Sequence, residues 1–114
     1  MPFINTKVNV AVSPEKEERI KAAFGQAITL IPGKSEDWLM VNIEDCQKLY
    51  FRGDKNTPNA FVEVKIYGSA VRSQFNSLTA EITRILGSEL GISPDRIYVK
   101  YEEVQNWGWN GSNF

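Results

Sequence analysis

An internal repeat constrains this chain more than any other feature of its sequence. Residues Gly33-Lys34-Ser35-Glu36-Asp37-Trp38-Leu39-Met40-Val41-Asn42-Ile43-Glu44-Asp45 lie over Gly91-Ile92-Ser93-Pro94-Asp95-Arg96-Ile97-Tyr98-Val99-Lys100-Tyr101-Glu102-Glu103. Gly, Ser, Asp, Val and Glu coincide, and Leu39 with Ile97 and Asp45 with Glu103 are conservative matches. A fold that accommodates one copy must accommodate the second in an equivalent place. Each half is therefore expected to end in a glycine helix stop, a turn and a strand.

What precedes each copy fits the same plan. Ile20, Ala23, Phe24, Ala27, Ile28 and Ile31 follow helical spacing, with Ser13 placed to cap the helix, Pro14 in its first turn and Glu15, Glu17 and Glu18 at its positive end. Pro32-Gly33 stops it. In the second half Phe75, Leu78, Ile82, Ile85, Leu86 and Leu90 mark another amphipathic helix ending near Gly91. Ahead of each helix the pattern alternates. Ile4, Val8 and Val10 oppose Asn5, Lys7 and Asn9, while Ala60, Val62, Val64 and Ile66 oppose Glu63, Lys65 and Tyr67.

The expected architecture is α/β: two pseudo-repeated β-α-β units that form a four-stranded sheet with two helices on one face, each unit a right-handed parallel crossover. A short extra piece is expected around Leu49-Tyr50-Phe51, and the stretches 53–59 and 106–114 read as irregular connections. Leu39, Val41, Ile43, Ile97 and Val99 should meet the helices. Trp38, Met40, Asn42, Tyr98 and Lys100 are then left on the opposite side of the sheet. Exposed aromatic groups on that side favour the interior of an oligomer, lined with pockets, over a solvated surface.

Composition narrows the chemistry. At 114 residues the chain is one domain, 1–114. It has no histidine, which removes every mechanism built on imidazole as base, shuttle or metal ligand. The only cysteine, Cys46, forms no internal disulfide and is expected as a small core residue. Thirteen basic and 14 acidic residues, interspersed, leave no electrostatic footprint for nucleic acid or an anionic membrane. No stretch reaches transmembrane length and no signal-peptide pattern opens the chain, so the cytosol is the default compartment, with leaderless secretion left open.

A base must then come from elsewhere, and the Met1-Pro2 start supplies a candidate. Aminopeptidases remove Met before a small residue, which would expose the secondary amine of Pro2. An α-amino group titrates near ~8, and burial beside a cation lowers that value toward working pH.

The Met-Pro start, Pro32-Gly33-Lys34, the run Gly91-Ile92-Ser93-Pro94-Asp95-Arg96-Ile97-Tyr98-Val99-Lys100-Tyr101 and the ending Gly108-Trp109-Asn110-Gly111-Ser112-Asn113-Phe114 together resemble the macrophage migration inhibitory factor family, which includes D-dopachrome tautomerase and belongs to the tautomerase superfamily. The likeness covers essentially the whole chain. It implies a homotrimer with an active site at each subunit interface and keto–enol tautomerisation of phenylpyruvate-type aromatic 2-keto acids, or of dopachrome-like substrates, with no cofactor and no metal. Pro2 matches the family's N-terminal base and Lys34 the lysine that binds the substrate carboxylate. Tyr98 matches the tyrosine lent by a neighbouring subunit, Trp38 an aromatic pocket wall, and Trp109 with Phe114 the aromatic tail. The chain departs from the family pattern at Tyr67, where isoleucine is frequent, at Lys100, where asparagine is common, and at Trp107, where a smaller apolar residue is usual. These three bear on substrate preference. Lys100 would either add positive charge to the pocket or stand as a rim lysine in water.

Two rival readings follow from the same residues. One is a receptor-binding protein resembling the secreted cytokine members, with vestigial catalysis. Against it, the Cys-x-x-Cys pair of vertebrate relatives is replaced by Asn59-Ala60-Phe61-Val62, so thiol–disulfide chemistry is not expected. The other is a ferredoxin-like regulatory module with the same element order and Pro2 blocked behind Met1.

Overall fold

A computed structural model describes residues 1–114. Strand β1 (Pro2–Val8) leads through Ser13 into helix α1 (Pro14–Ala27), then to β2 (Met40–Glu44), β3 (Ala60–Tyr67), helix α2 (Arg72–Leu90) and β4 (Ile97–Val104). A small hairpin, β5 (Gly108–Trp109) with β6 (Ser112–Asn113), closes the chain. The main sheet has four strands in the order β2-β1-β3-β4. β1 and β2 are parallel, β3 and β4 are parallel, and the two pairs meet antiparallel where β1 lies against β3. This is the doubled β-α-β plan.

The repeat is visible in three dimensions. Both copies open on a left-handed glycine, Gly33 at φ 80° and Gly91 at φ 66°, a conformation that strains any side chain with a Cβ. Both continue into a single 3₁₀ turn, Glu36–Trp38 in the first and Pro94–Arg96 in the second, and both then enter a strand. The first helix thins to a 3₁₀ turn at Ile28–Leu30 before Pro32, so its last regular residue is Ala27. The second runs unbroken to Leu90.

Helix α1 starts where the sequence places it: Ser13 Oγ accepts from the Lys16 N–H at 3.3 Å. Its inner face supplies Ile20, Phe24 and Ala27, and α2 supplies Leu78, Ile82, Ile85 and Leu86. These close over Ile4, Val8, Val62, Val64 and Ile66 from the two central strands, forming one apolar cluster. Each large side chain so buried contributes about 1.5–3 kcal/mol before chain entropy is subtracted. Leu39, Val41, Ile43, Ile97 and Val99 pack against that cluster as expected. Tyr101 joins them, its hydroxyl satisfied by Thr79 Oγ1 at 2.8 Å and by the Phe75 carbonyl at 3.0 Å. No helix is long and apolar enough to cross a membrane.

Three expectations change. Cys46 is exposed, because its N–H bonds the Val10 carbonyl at 3.0 Å and holds it in a turn at φ 55°, outside the core. Trp38 is the last residue of a 3₁₀ turn and stands outside the strand that carries Met40 and Asn42. Residues 106–114 are ordered into the β5–β6 hairpin, with Gly108 opposite Asn113 and Trp109 opposite Ser112.

Candidate active site

The start of β1 is where several elements converge. Pro2 is buried and stands opposite Ile66 in the register with β3. One residue on, the Tyr67 N–H donates to the Met1 carbonyl at 2.9 Å. The Tyr67 carbonyl in turn accepts from Lys34 Nζ at 2.9 Å. Lys34 reaches that point because Gly33 turns the chain back after α1 and the Lys34 N–H bonds the Ile31 carbonyl at 3.1 Å. The ends of β1, β3 and the first repeat are thus tied together around one ammonium group.

The electrostatic consequence falls on the terminal amine. Burial, followed by the charge of Lys34 and its hydrogen bond, holds the amine of Met1 below the ordinary α-amino value. All three causes disfavour a second positive charge. In the chain with Met1 attached, Pro2 itself carries an amide nitrogen.

Beside this point opens a cleft of about 700 Å³, lined by Met1, Pro2, Phe3, Asp37, Trp38, Leu39, Met40, Trp107, Gly108 and Trp109. Its walls come from the start of β1, the 3₁₀ turn of the first repeat with the start of β2 that follows it, and the C-terminal hairpin with Trp107 just before it. Trp38 meets Trp109 edge to face, with centroids 5.0 Å apart and planes at 79°. Trp109 in turn lies parallel to Phe114 at 6.4 Å, and Phe114 leans on Tyr67 at 5.3 Å. The Phe114 N–H closes the hairpin onto the Trp107 carbonyl at 3.1 Å. A continuous aromatic path therefore joins the cleft to the residue whose carbonyl holds Lys34.

Of the residues the sequence singles out, Pro2, Trp38, Trp107 and Trp109 line this cleft, while Lys34, Tyr67 and Phe114 stand at its margin. Tyr98 and Lys100 are not brought to it within one chain. Tyr98 pairs with Phe61 at the far end of β3, five residues from the partner of Pro2, or roughly 17 Å along the strand. There it meets Phe51 edge to face at 5.2 Å and borders a second pocket with Leu49, Tyr50, Phe61 and Arg96. Lys100 is paired with Glu102 at 2.8 Å, and that carboxylate raises its pKa. Its charge is answered locally by that carboxylate.

Three residues outside that set stand in or near these features. Asp37 and Met40 line the cleft, and their signal is the repeat itself, which fixes the turn that presents them. Arg96, the repeat counterpart of Trp38, holds the loop after β2. It donates to the carbonyls of Pro58 (3.1 Å), Asp54 (3.3 Å), Phe51 and Thr57 (both 3.5 Å), and lies over the Phe51 ring.

Comparison with known proteins bears on this site. The family model described as macrophage migration inhibitory factor matches residues 1–114. The mouse macrophage migration inhibitory factor is 30% identical over 116 residues, spanning 100% of this chain and 97% of its own. Among solved structures, MIF2 of Leishmania major superposes with a TM-score of 0.92 at 35% identity, covering 100% of this chain and 97% of that one. The macrophage migration inhibitory factor homologue of Prochlorococcus marinus gives 0.88 at 29% identity, with 98% of each chain covered.

Proposed function

Since the chain belongs to the macrophage migration inhibitory factor family, we propose that it is a cofactor-independent keto–enol tautomerase acting on phenylpyruvate-type aromatic 2-keto acids, with Pro2 as general base once Met1 is removed. One observation carries the reading: Lys34 is anchored on the Tyr67 carbonyl at the buried start of β1, beside an aromatic cleft. A cation, an amine of lowered basicity and an aromatic wall close together support the binding of a carboxylate, the proton transfer and the holding of a ring.

In the proposed reaction the neutral Pro2 nitrogen takes the proton from the carbon next to the ketone. The C–H electron pair becomes the enolate double bond, water delivers a proton to the carbonyl oxygen to give the enol, and the Pro2 ammonium releases its proton to water, so the base is restored; ketonisation runs the same steps backwards. Lys34 holds the acid group and keeps Pro2 deprotonated near neutrality. The indoles of Trp38, Trp107 and Trp109 hold the ring and limit water, so positioning supplies a large share of the rate.

The active assembly is proposed to be a homotrimer in which Tyr98, and Lys100 beside it, come to the Pro2 cleft from a neighbouring copy. Supporting this, Tyr98 is 57% exposed and lies at the opposite end of the sheet from Pro2 within its own chain. Both outer strands, β2 and β4, also carry unpaired edges that a partner can cover. The test is phenylpyruvate tautomerisation by wild type and Pro2→Gly, with loss of Met1 verified by intact mass. A fall of roughly tenfold or more in kcat/KM is expected, with a residual rate from the glycine amine. Equal rates would remove Pro2 from the chemistry.

A further inference from the structure

Asp37 and Asp95 hold the same place in the two repeats, yet their surroundings differ. Asp95 accepts from Ser93 Oγ at 2.7 Å and lies 3.9 Å from the Arg52 guanidinium. Within one chain Asp37 has no hydrogen-bond donor and no basic partner, and it is the only charged side chain lining the aromatic cleft; the Lys100 that the proposed assembly brings there carries its own carboxylate, Glu102, at 2.8 Å. Its neighbour Glu36 is turned away, with its carboxylate lying across Gly25 of α1. The carboxylate of Asp37 is exposed and left without a partner at the cleft wall.

The walls around it share one electrostatic character. Trp38 and Trp109 meet at 79° and form a corner, each about half exposed at 47% and 50%. Met40 adds a polarisable thioether, 68% exposed, and Trp107 a third indole. Indole faces are negative, and right-angled indoles beside a carboxylate make a surface that attracts a weakly hydrated cation. At the start of β1 the sign is reversed. Lys34 is the one charge acting on the terminal amine there, and Asp37 is not among the groups that shift it. The site therefore carries a cation anchored at the start of β1 and an anion among indoles.

We propose that this cleft selects, among aromatic 2-keto acids, those whose ring carries a positively charged substituent at the end remote from the keto acid, held by Asp37 and the Trp38–Trp109 corner. The inference rests on the tautomerase reading for the keto-acid end, but not for the cation end.

The test compares 4-(trimethylammonio)phenylpyruvate with its neutral isostere 4-tert-butylphenylpyruvate. Wild type should show kcat/KM about tenfold higher for the cation, a preference that shrinks at high salt. In Asp37→Asn the ratio should fall to about threefold or less, and in Asp37→Lys it should invert. A wild-type ratio near one, or an unchanged ratio in Asp37→Asn, would overturn the proposal. Calorimetric titration with phenyltrimethylammonium alone needs no turnover. It should show a Kd weaker by about fivefold or more in Asp37→Asn, and equal affinity, or no binding to wild type, would again overturn it. Absence of turnover with both acids would count against the tautomerase reading alone, leaving the titration to decide the cation site.

Discussion

The ammonium of Lys34 donates a 2.9 Å hydrogen bond to the carbonyl oxygen of Tyr67, tying the turn after α1 to the end of β3. The Tyr67 N–H is at the same time bonded to the Met1 carbonyl, so one residue holds both the cation and the start of β1. A charge fixed in this way acts on a neighbouring amine in every molecule, without the averaging that a mobile surface lysine suffers. Its direction is unambiguous: together with burial it pushes the amine's pKa down.

Lys34→Gln separates charge from anchoring, because the amide can still donate to the Tyr67 carbonyl. Burial remains while the positive charge is lost, so the amine's pKa should rise. The base must be deprotonated to act, and the ascending limb of kcat/KM against pH should therefore move to higher pH. KM for phenylpyruvate should also increase by roughly tenfold or more, since a charge-assisted hydrogen bond is worth about 1.5–3 kcal/mol. Rate profiles of wild type and variant check both points, and an unshifted limb would separate Lys34 from the base.

Retention of Met1 should silence the site. With Met1 attached, the Pro2 nitrogen is an amide without a basic lone pair, and the remaining amine lies one residue outward. A preparation that mixes processed and unprocessed chains should show kcat proportional to the processed fraction, and a fully unprocessed one should lose about two orders of magnitude or more. Intact mass and turnover measured on the same samples decide this.

The repeat makes the fold legible from the sequence alone. Gly33 and Gly91 take the left-handed turn that the glycine stops require, and the helical spacing of apolar residues puts Phe24 of α1 and Leu78 and Ile82 of α2 in the core. Part of the cleft is legible too, since alternation along β2 places Met40 away from the helices. The remainder is tertiary. Trp38 falls in a 3₁₀ turn because the repeat's Ser-x-Asp segment winds once before the strand, and a periodicity of two cannot reveal one wound turn. The order of the Phe114 tail depends on Tyr67 and, through Trp109, on Trp38, residues 47 and 76 positions away in the chain. Cys46 is of a type that favours the core, but a backbone bond to Val10 decides its orientation.

Arg96 should prove a stability residue with a functional echo. Its side chain is 11% exposed, donates to carbonyls of the loop after β2 and lies 3.6 Å from the Asp54 carboxylate. Arg96→Lys keeps the charge but lacks the planar fork that reaches several acceptors at once. Loss of about 2–4 kcal/mol is expected, because carbonyls and a carboxylate lose their donors. Urea unfolding measures it. The same variant should raise KM more than it lowers kcat, because Phe51, which Arg96 covers, supports the ring of Tyr98.

Thr6→Val should stabilise the protein. Thr6 is 1% exposed on the helix-facing side of β1, opposite Val62 of β3 and Ile43 of β2. Its hydroxyl Oγ1 has no hydrogen-bond partner. An unsatisfied buried hydroxyl costs about 1–3 kcal/mol, whereas valine has nearly the same shape and a branched side chain suited to a strand. A gain of about 1 kcal/mol is expected, equivalent to a rise of roughly 4 °C in Tm for a domain of this size. Thr6→Ser should act in the opposite direction, because it keeps the hydroxyl and removes the methyl that packs in the core. Thermal unfolding of the three proteins at one fixed concentration distinguishes the cases. If both substitutions destabilise by similar amounts, the hydroxyl has a partner in solution, and burial without satisfaction is not the state of Thr6.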